Sequence, residues 1–214
     1  NIPDDPITQL MGISVPLAKI KIKAAKLEME GPLLITHWGI SGPAVLKTSA
    51  VAARILHDLD YCFTISISWL PKYTEEKLRI EFSNQRDEHA AKAVISNCPF
   101  ELPKRLWEHF ILHCQIDRTT RWADLTKKNI SELINCMINN EYQVKGKTTF
   151  KEEFVTSGGV KLKEINFATM ESKIIPNLYF AGEVMDIDGV TGGFNFQNAW
   201  SSGWVAASSL FPKE

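Results

Sequence analysis

Apolar and polar residues alternate over much of the first 36 positions, a pattern typical of strands with one solvent-exposed face. Ile20 and Ile22 alternate with lysines, and the phase changes shortly afterwards, which indicates a bulge or a turn. The same period returns near position 62, and strand-like composition reappears near position 142. We therefore predict β structure in residues 7–36, 62–70 and 142–160.

Helical spacing of apolar residues appears first in residues 43–58. Ser41 is a candidate N-cap just before this segment, and Pro43 suits a first helical turn. Residues 74–140 show helical patterns and little β signal. Short amphipathic helices of this kind predict a small helical subdomain. Three helices are predicted, beginning near Thr74, Pro103 and Asn129.

The last part of the chain combines a short apolar run, a glycine-rich loop and a helical pattern. Residues 178–181 predict a buried strand, Gly192 and Gly193 mark a loop, and residues 194–210 predict a buried helix. Glycines allow close backbone approach, and a helix N-terminus favours anionic or electron-rich groups. The arrangement therefore indicates either a ligand-binding loop or an ordinary strand-to-helix turn.

Bulk composition excludes several classes of protein. The length of 214 residues suits one or two domains, and 44% hydrophobic with 23% charged residues is ordinary for a globular protein. The net charge of −1 gives no electrostatic footprint for nucleic acid. No apolar run reaches the roughly 18 residues needed to span a membrane, and no signal-peptide pattern is present.

Cysteine and histidine positions give little support for a metal site. His109 and His113 are four positions apart with Cys114 beside them, a spacing that can bind zinc, but no further ligand pair follows at suitable spacing. We therefore predict that no metal is bound. The cysteines form no C-x-x-C pair and indicate reduced thiols in a cytoplasmic protein. They are Cys62, Cys98, Cys114 and Cys136.

Four sequence blocks resemble one protein family. They are G-P-L-L-I-T-H-W-G-I-S-G-P (31–43), F-V-T-S-G-G-V (154–160), T-M-E-S-K (169–173) and G-E-V-M-D-I-D-G-V-T-G-G-F-N-F-Q-N-A (182–199). The last block resembles the C-terminal flavin-binding segment of the BaiN-like, or aminoacetone-oxidase-like, family of bacterial NAD(P)/FAD-dependent oxidoreductases. The other blocks occur in that family's order.

The resemblance implies an α+β fold built from two parts. Residues 1–165 would form a substrate-side insert with a mixed, barrel-like β unit and a three-helix subdomain at 72–141. Residues 166–214 would be the C-terminal strand, loop and helix of an incomplete Rossmann-like FAD-binding domain. The family begins with a βαβ unit carrying G-x-G-x-x-G, and that motif does not occur here. We therefore expect the chain to be a C-terminal fragment.

The resemblance also implies a set of flavin-binding residues. Glu183 would accept hydrogen bonds from ribityl hydroxyls, whereas a solvated loop carboxylate is the alternative. Backbone N–H groups near the double glycine would face the pyrimidine edge of the flavin. Asp186 and Asp188 have an equally plausible role as caps of the loop. The full set is Thr156, Gly158, Gly159, Gly182, Glu183, Asp186, Gly192, Gly193, Phe194 and Asn195.

Substrate contact is predicted at the junction of a strand end and a helix start. Thr36, Ser41 and Gly42 are the candidates there. Histidine is the residue type suited to proton transfer near neutral pH, so His37 is a candidate for that role, although a lone histidine is more often structural. If it is catalytic, it should lie in a cleft near Ser41 and Gly158.

The family implies a cytoplasmic FAD enzyme that uses NAD(P)H and a small-molecule substrate, with no nucleic-acid or membrane partner. The alternative is a non-catalytic module that binds a ligand or a protein. Because the ADP-binding unit of the family is missing, we expect the chain by itself to bind no FAD and to be inactive. Its missing N-terminal FAD-binding part would be its natural partner. Apolar residues left exposed in the tail would favour self-association.

Overall fold

A computed structural model describes residues 1–146, 155–190 and 192–211 of the chain. Lys147, Phe154 and Thr191, which belong to the predicted strand or to the family blocks, lie outside the described residues. The chain divides into two compact units. The first comprises residues 1–48 and 55–148, and the second comprises residues 49–54 and 149–214.

The first unit contains a five-stranded antiparallel sheet in the order β3-β2-β1-β4-β5. The sheet curls into half a barrel, and the α+β class is confirmed. Among the described residues of the predicted 142–160 segment, those up to Lys145 join this sheet and those from 155 onward do not. The strands are β1 (Ser14–Ile22), β2 (Leu27–Thr36), β3 (Gly39–Ser41), β4 (Cys62–Ser68) and β5 (Asn140–Lys145).

The predicted alternation is visible in the hairpin of β1 and β2. Ile20 and Ile22 are buried, whereas Lys21 lies on the solvent-exposed face and forms a salt bridge with Glu28 at 2.7 Å. The change of phase is a turn between two antiparallel strands, in which Lys26 has a φ of +49°. One period-2 pattern therefore encodes two strands, not one strand with a bulge.

Helix α1 (Pro43–Asp58) has the predicted bounds but a different cap. Gly42 is the N-cap, with a φ of +100° and no side-chain hydrogen bond, and Ser41 ends β3 instead. A Cβ at position 42 would stand 3.0 Å from the carbonyl oxygen of Pro32. Only glycine suits this junction, because a side chain would both strain the backbone and crowd the neighbouring strand. The buried face of the helix includes Ala44, Thr48, Ala52 and Leu56.

Three helices lie between β4 and β5, as predicted. The Thr74 hydroxyl caps the first by accepting a hydrogen bond from the Lys77 amide, at 3.3 Å. The third starts two residues before the predicted position, because Thr126 and Asn129 form a reciprocal capping box. The helices are α2 (Glu75–His89), α3 (Lys104–His113) and α4 (Lys127–Ile138).

The three helices share one core with the sheet. Trp69, just after β4, packs against Phe110 of α3 and Tyr142 of β5, with ring centroids 6.1 and 6.5 Å apart. The indole N–H of Trp107 donates to the Val94 carbonyl oxygen at 2.9 Å. Shared burial of large aromatic side chains explains why helices and sheet form one compact unit.

The second unit contains two short strands, β6 (Ile165–Asn166) and β7 (Glu171–Ser172), and a long helix, α5 (Phe194–Leu210). Residues 165 and 166 therefore pair in a separate sheet, and not in the five-stranded one. The predicted strand at 178–181 is wrong, since only Tyr179 makes an isolated bridge, to Glu171. The small core consists of Ile165, Met170, Met185 and Ala206.

Candidate functional site

A groove of about 250 Å³ lies in the second unit beside the start of α5. It gathers four residues that the family resemblance implies as flavin contacts, although they are spread over 13 positions of sequence. These four are Glu183, Gly192, Gly193 and Asn195. The remaining walls are Val155, Ile187, Phe196, Asn198 and Ala199. The groove thus combines apolar walls with a few polar groups, as small-molecule sites do.

The helix start at the groove carries no side-chain cap. Gly193 is the N-cap in the left-handed conformation, at a φ of +93°, and Gly192 has a φ of +143°. The first N–H groups of a helix have no intrahelical partner. Because glycine cannot cap them, they remain available to an electron-rich group in the groove. Phe194 follows directly and is 66% exposed.

Asn195 acts through its side chain, which sequence reasoning did not predict. Its Oδ1 accepts a hydrogen bond from the Gly189 amide at 2.7 Å, and its Nδ2 donates to the Gly189 carbonyl oxygen at 3.0 Å. The pair of bonds ties the loop before the helix to the first helical turn. An asparagine six positions after a glycine is a weak signal, so the sequence could not have revealed this clamp.

Glu183 lies in a short 3-10 turn and is exposed. Its Oε1 accepts a hydrogen bond from the Thr156 amide at 3.0 Å. The neighbouring Gly182 amide donates to the Ser202 hydroxyl of α5 at 2.9 Å. The structure therefore brings Thr156 next to Glu183, which lies 27 positions later in the sequence.

The loop at residues 156–160 is tied to the chain at 184–186. Val160 donates to the Val184 carbonyl oxygen at 2.9 Å, and the Asp186 amide donates to the Val160 carbonyl oxygen at 3.0 Å. Gly158 and Gly159 have φ values of +114° and +143°. Two glycine-containing loops therefore lie side by side in this unit.

Asp186 forms an ion pair with Arg54, and both residues belong to the second unit. The hydrogen bond and the charge of Asp186 raise the pKa of the Arg54 guanidinium. Asp186 is thus the ion-pair partner of Arg54, whereas the sequence predicted a loop cap or a flavin contact. Asp188 lines a separate cavity of about 210 Å³ together with Arg54 and Ser157. Arg54 was missed because it lies outside the predicted apolar stripe of its helix.

The predicted substrate-side residues belong to the first unit. His37 is exposed in the turn between β2 and β3, with its ring edge-on to Trp38 at 4.3 Å. The Thr36 hydroxyl is buried and has no hydrogen-bond partner among the described residues. Ser41 lies at the end of β3 and Gly42 at the helix start. Because Gly158 lies in the other unit, its predicted proximity to His37 stays a prediction.

The part of the chain that the structure describes contains neither a metal-binding cluster nor a membrane-spanning helix. No group of three or more His, Cys, Asp or Glu side chains there is arranged to hold a metal ion. His109 and His113 stack with ring centroids 5.9 Å apart, and the Cys114 thiol contacts Cys136. No helix within the same residues has the length and apolar character that crossing a bilayer requires.

Comparison with known proteins identifies relatives of this chain. It is 35% identical over 185 residues to the ribosomal RNA dihydrouridine synthase of Escherichia coli K12, which covers 83% of the chain and 42% of that protein. It is 34% identical over 205 residues to the protein of the same name from Haemophilus influenzae. That alignment covers 95% of the chain and 48% of the relative. It is 27% identical over 183 residues to the 3-dehydro-bile acid delta(4,6)-reductase of Clostridium scindens, covering 84% and 44%.

The chain therefore spans about half the length of these relatives, which are all named as enzymes. A family model described as the HI0933-like protein barrel and H2TH domain matches residues 1–155. That match covers the half-barrel sheet and the three helices of the first unit. On this evidence, the chain belongs to the HI0933-like protein family.

Proposed function

We propose that this chain supplies the flavin-proximal and substrate-side parts of an FAD-dependent oxidoreductase. The observation that carries the proposal is the groove beside α5, where Glu183, Gly192, Gly193 and Asn195 come together. All four belong to the set of ten residues that family resemblance implies as flavin contacts. Their convergence in one groove is what a binding site requires.

The residues of the groove fit the flavin end of FAD. The uncapped N-terminus of α5 offers N–H groups and a partial positive charge, which suit the electron-rich pyrimidine edge of the ring. One carboxylate oxygen of Glu183 accepts a hydrogen bond from the Thr156 amide, and the other can accept one from a ribityl hydroxyl. Bound FAD would accept a hydride from NADH or NADPH and pass it to the substrate.

The names of the relatives support a reductive reaction. A dihydrouridine synthase and a delta(4,6)-reductase both add hydrogen to an unsaturated substrate. We infer that this protein likewise reduces a carbon–carbon double bond. His37, exposed in the turn between β2 and β3, is the candidate for supplying the proton that accompanies the hydride.

A small organic substrate remains our prediction, in line with the near-neutral net charge of −1. Ribosomal RNA is a second candidate, because the relatives named for that substrate are 34–35% identical and the bile-acid enzyme is 27% identical. We further propose that the protein acts in the cytoplasm. Its nearest partner would be the FAD-binding part of the same polypeptide, corresponding to the half of the relatives that this chain does not match.

The proposal is tested by following the flavin absorption of the protein as its gene encodes it. We expect yellow protein whose flavin absorption is bleached by NADH or NADPH under anaerobic conditions. We expect the present chain, purified by itself, to be colourless. Incubation of the reduced protein with unmodified ribosomal RNA, or with unsaturated steroid acids, then distinguishes the substrates by a mass gain of two hydrogens.

The competing possibility is a module that binds a ligand or a protein without catalysis. It predicts that the encoded protein binds flavin weakly or not at all, and that neither nicotinamide cofactor changes its spectrum. Stoichiometric flavin in the present chain alone would instead contradict the proposed division of the site between two parts of the protein.

A further inference from the structure

The Cys114 and Cys136 thiols lie against each other inside the first unit. Their sulfur atoms are 3.5 Å apart, and the residues are only 6% and 7% exposed. Cys114 caps the end of α3, and Cys136 lies in the last turns of α4. The sequence gives no hint of this pair, because the two residues are 22 positions apart and form no short cysteine motif.

We propose that Cys114 and Cys136 are a redox-sensitive dithiol that a hydroperoxide converts to a disulfide. A disulfide requires the sulfur atoms to approach to about 2.0 Å. The backbone movement that this approach requires would occur at Cys114, which lies outside the regular helix, and at Gln115, where a φ of +55° reverses the chain. The helical backbone around Cys136 stays fixed.

A path for a small oxidant is present. Both cysteines line a groove of about 500 Å³ on the surface of the first unit, together with Gln115 and Lys128. The low exposure of the two cysteine residues disfavours bulky thiol reagents, whereas a hydroperoxide is small enough to enter the groove. The other two cysteines have different surroundings. Cys62 is exposed, and the Cys98 thiol donates a hydrogen bond to the Phe100 carbonyl oxygen at 3.4 Å.

The two thiols have different chemical roles. The hydrogen bond between the two thiols lowers the pKa of Cys136, and the same bond together with burial raises the pKa of Cys114. The Cys136 thiolate therefore attacks the hydroperoxide, forming a sulfenic acid and releasing an alcohol or water. The Cys114 thiol then displaces water from the sulfenic acid. In sum, two thiols lose two electrons and two protons to one hydroperoxide.

The disulfide would fasten the end of α3 to α4 across the connection between the helices. Closing a loop of this length restricts the unfolded chain. We expect the thermal midpoint of the first unit to rise by roughly 5–10 °C on oxidation and to fall again after reduction. The oxidised protein should retain its far-UV circular dichroism, because α3 and α4 remain helical.

The experiment treats the reduced protein with hydrogen peroxide and maps its thiols by mass spectrometry. We expect one peptide pair joined through Cys114 and Cys136, while a bulky maleimide labels Cys62 but neither residue of the pair. Cys114→Ser should trap Cys136 as a sulfenic acid that dimedone captures. Cys136→Ser should form no disulfide at Cys114, because the partner thiol is absent.

Cys62→Ser and Cys98→Ser are the matched controls, and both should leave formation of the disulfide unchanged. The wild-type result does not depend on the folding of any variant. The proposal is overturned if peroxide modifies Cys62 while Cys114 and Cys136 stay reduced until the protein is unfolded. It is equally overturned if the joined peptides appear without any change in the thermal midpoint.

Discussion

A methyl group on Gly159 would stand 2.5 Å from the carbonyl oxygen of Val184. The next residue, Val160, donates a hydrogen bond to that same oxygen at 2.9 Å. The obstructing atoms belong to the backbone, so they cannot move aside as a flexible side chain would. Gly159 therefore sets how closely the loop at 156–160 approaches the chain that carries Glu183.

Gly159→Ala should destabilise the second unit more than Gly158→Ala does. Both positions have a positive φ, which costs an alanine about 1–3 kcal/mol, but position 158 has open space around its Cβ. The backbone clash at position 159 should add a further ~1–3 kcal/mol. Urea unfolding and amide exchange at Val160 measure both effects. Equal losses for the two variants would contradict the close approach.

The clamp between Asn195 and Gly189 gives a second prediction. Asn195→Ala removes both hydrogen bonds and should reduce the free energy of unfolding by about 1–2 kcal/mol. Asn198→Ala is the control, since Asn198 lines the same groove but its side chain makes no hydrogen bond to the described residues. Chemical denaturation of the two variants measures the difference. Equal stability of the two would show that the clamp does not order the loop.

Some of these features follow from the sequence and others do not. The bounds of α1 were predictable because Pro43 and an unbroken apolar stripe mark them. The apolar run at 178–181 failed as a strand, because four apolar residues say nothing about whether a partner strand is available. Tyr179 forms one isolated bridge, to Glu171, and Leu178 is 37% exposed. Side-chain contacts such as the Asn195 clamp depend on loop geometry, which has no periodic signal.

Glu183→Ala should weaken flavin binding in the protein as its gene encodes it. A hydrogen bond to a carboxylate contributes about 1.5–3 kcal/mol, so we expect at least a tenfold rise in the dissociation constant. Glu171→Ala is the matched control, since its Oε1 also accepts a backbone hydrogen bond, from Asn177 at 2.8 Å, but it does not line the groove. Flavin fluorescence titration compares them. Equal affinity in both variants would remove Glu183 from the site.

His109 should make the stability of the first unit dependent on pH. Burial, followed by the neighbouring His113, lowers its pKa below the ordinary value of 6.5, while Asp5 acts in the opposite direction. A base whose pKa is lowered by folding stabilises the fold fully above its unfolded pKa. That stability is lost as the pH falls through the folded pKa. The thermal midpoint should therefore fall below pH 6.5, in the range where the unfolded histidine binds its proton first.

His109→Gln should flatten this acid dependence, because glutamine does not titrate in the range. His57→Gln is the control, since the His57 side chain is 77% exposed on α1. Melting curves recorded between neutral and acidic pH provide the comparison. If the His57 variant flattens the profile and the His109 variant does not, the dependence has another source.

Helix α5 carries an exposed aromatic stripe, defined by Phe196, Trp200 and Trp204 at intervals of four residues. These side chains are 69%, 70% and 70% exposed. Side chains four apart share one helix face, so the stripe is continuous. Burying one large apolar side chain contributes about 1.5–3 kcal/mol. An uncovered stripe of this kind should therefore make the chain self-associate when it is purified by itself.

Replacing Trp200 and Trp204 by serine should weaken that self-association more than tenfold, because each copy loses two anchoring side chains. Phe167→Ser is the control, since Phe167 is 50% exposed in the same unit but lies outside the stripe. Sedimentation velocity over a range of concentrations measures the association. Under the proposed function, the FAD-binding part of the encoded protein should cover the stripe and protect Trp200 from iodide quenching. A chain that stays monomeric by itself, or tryptophans that are quenched equally in both proteins, would show that this face has no partner.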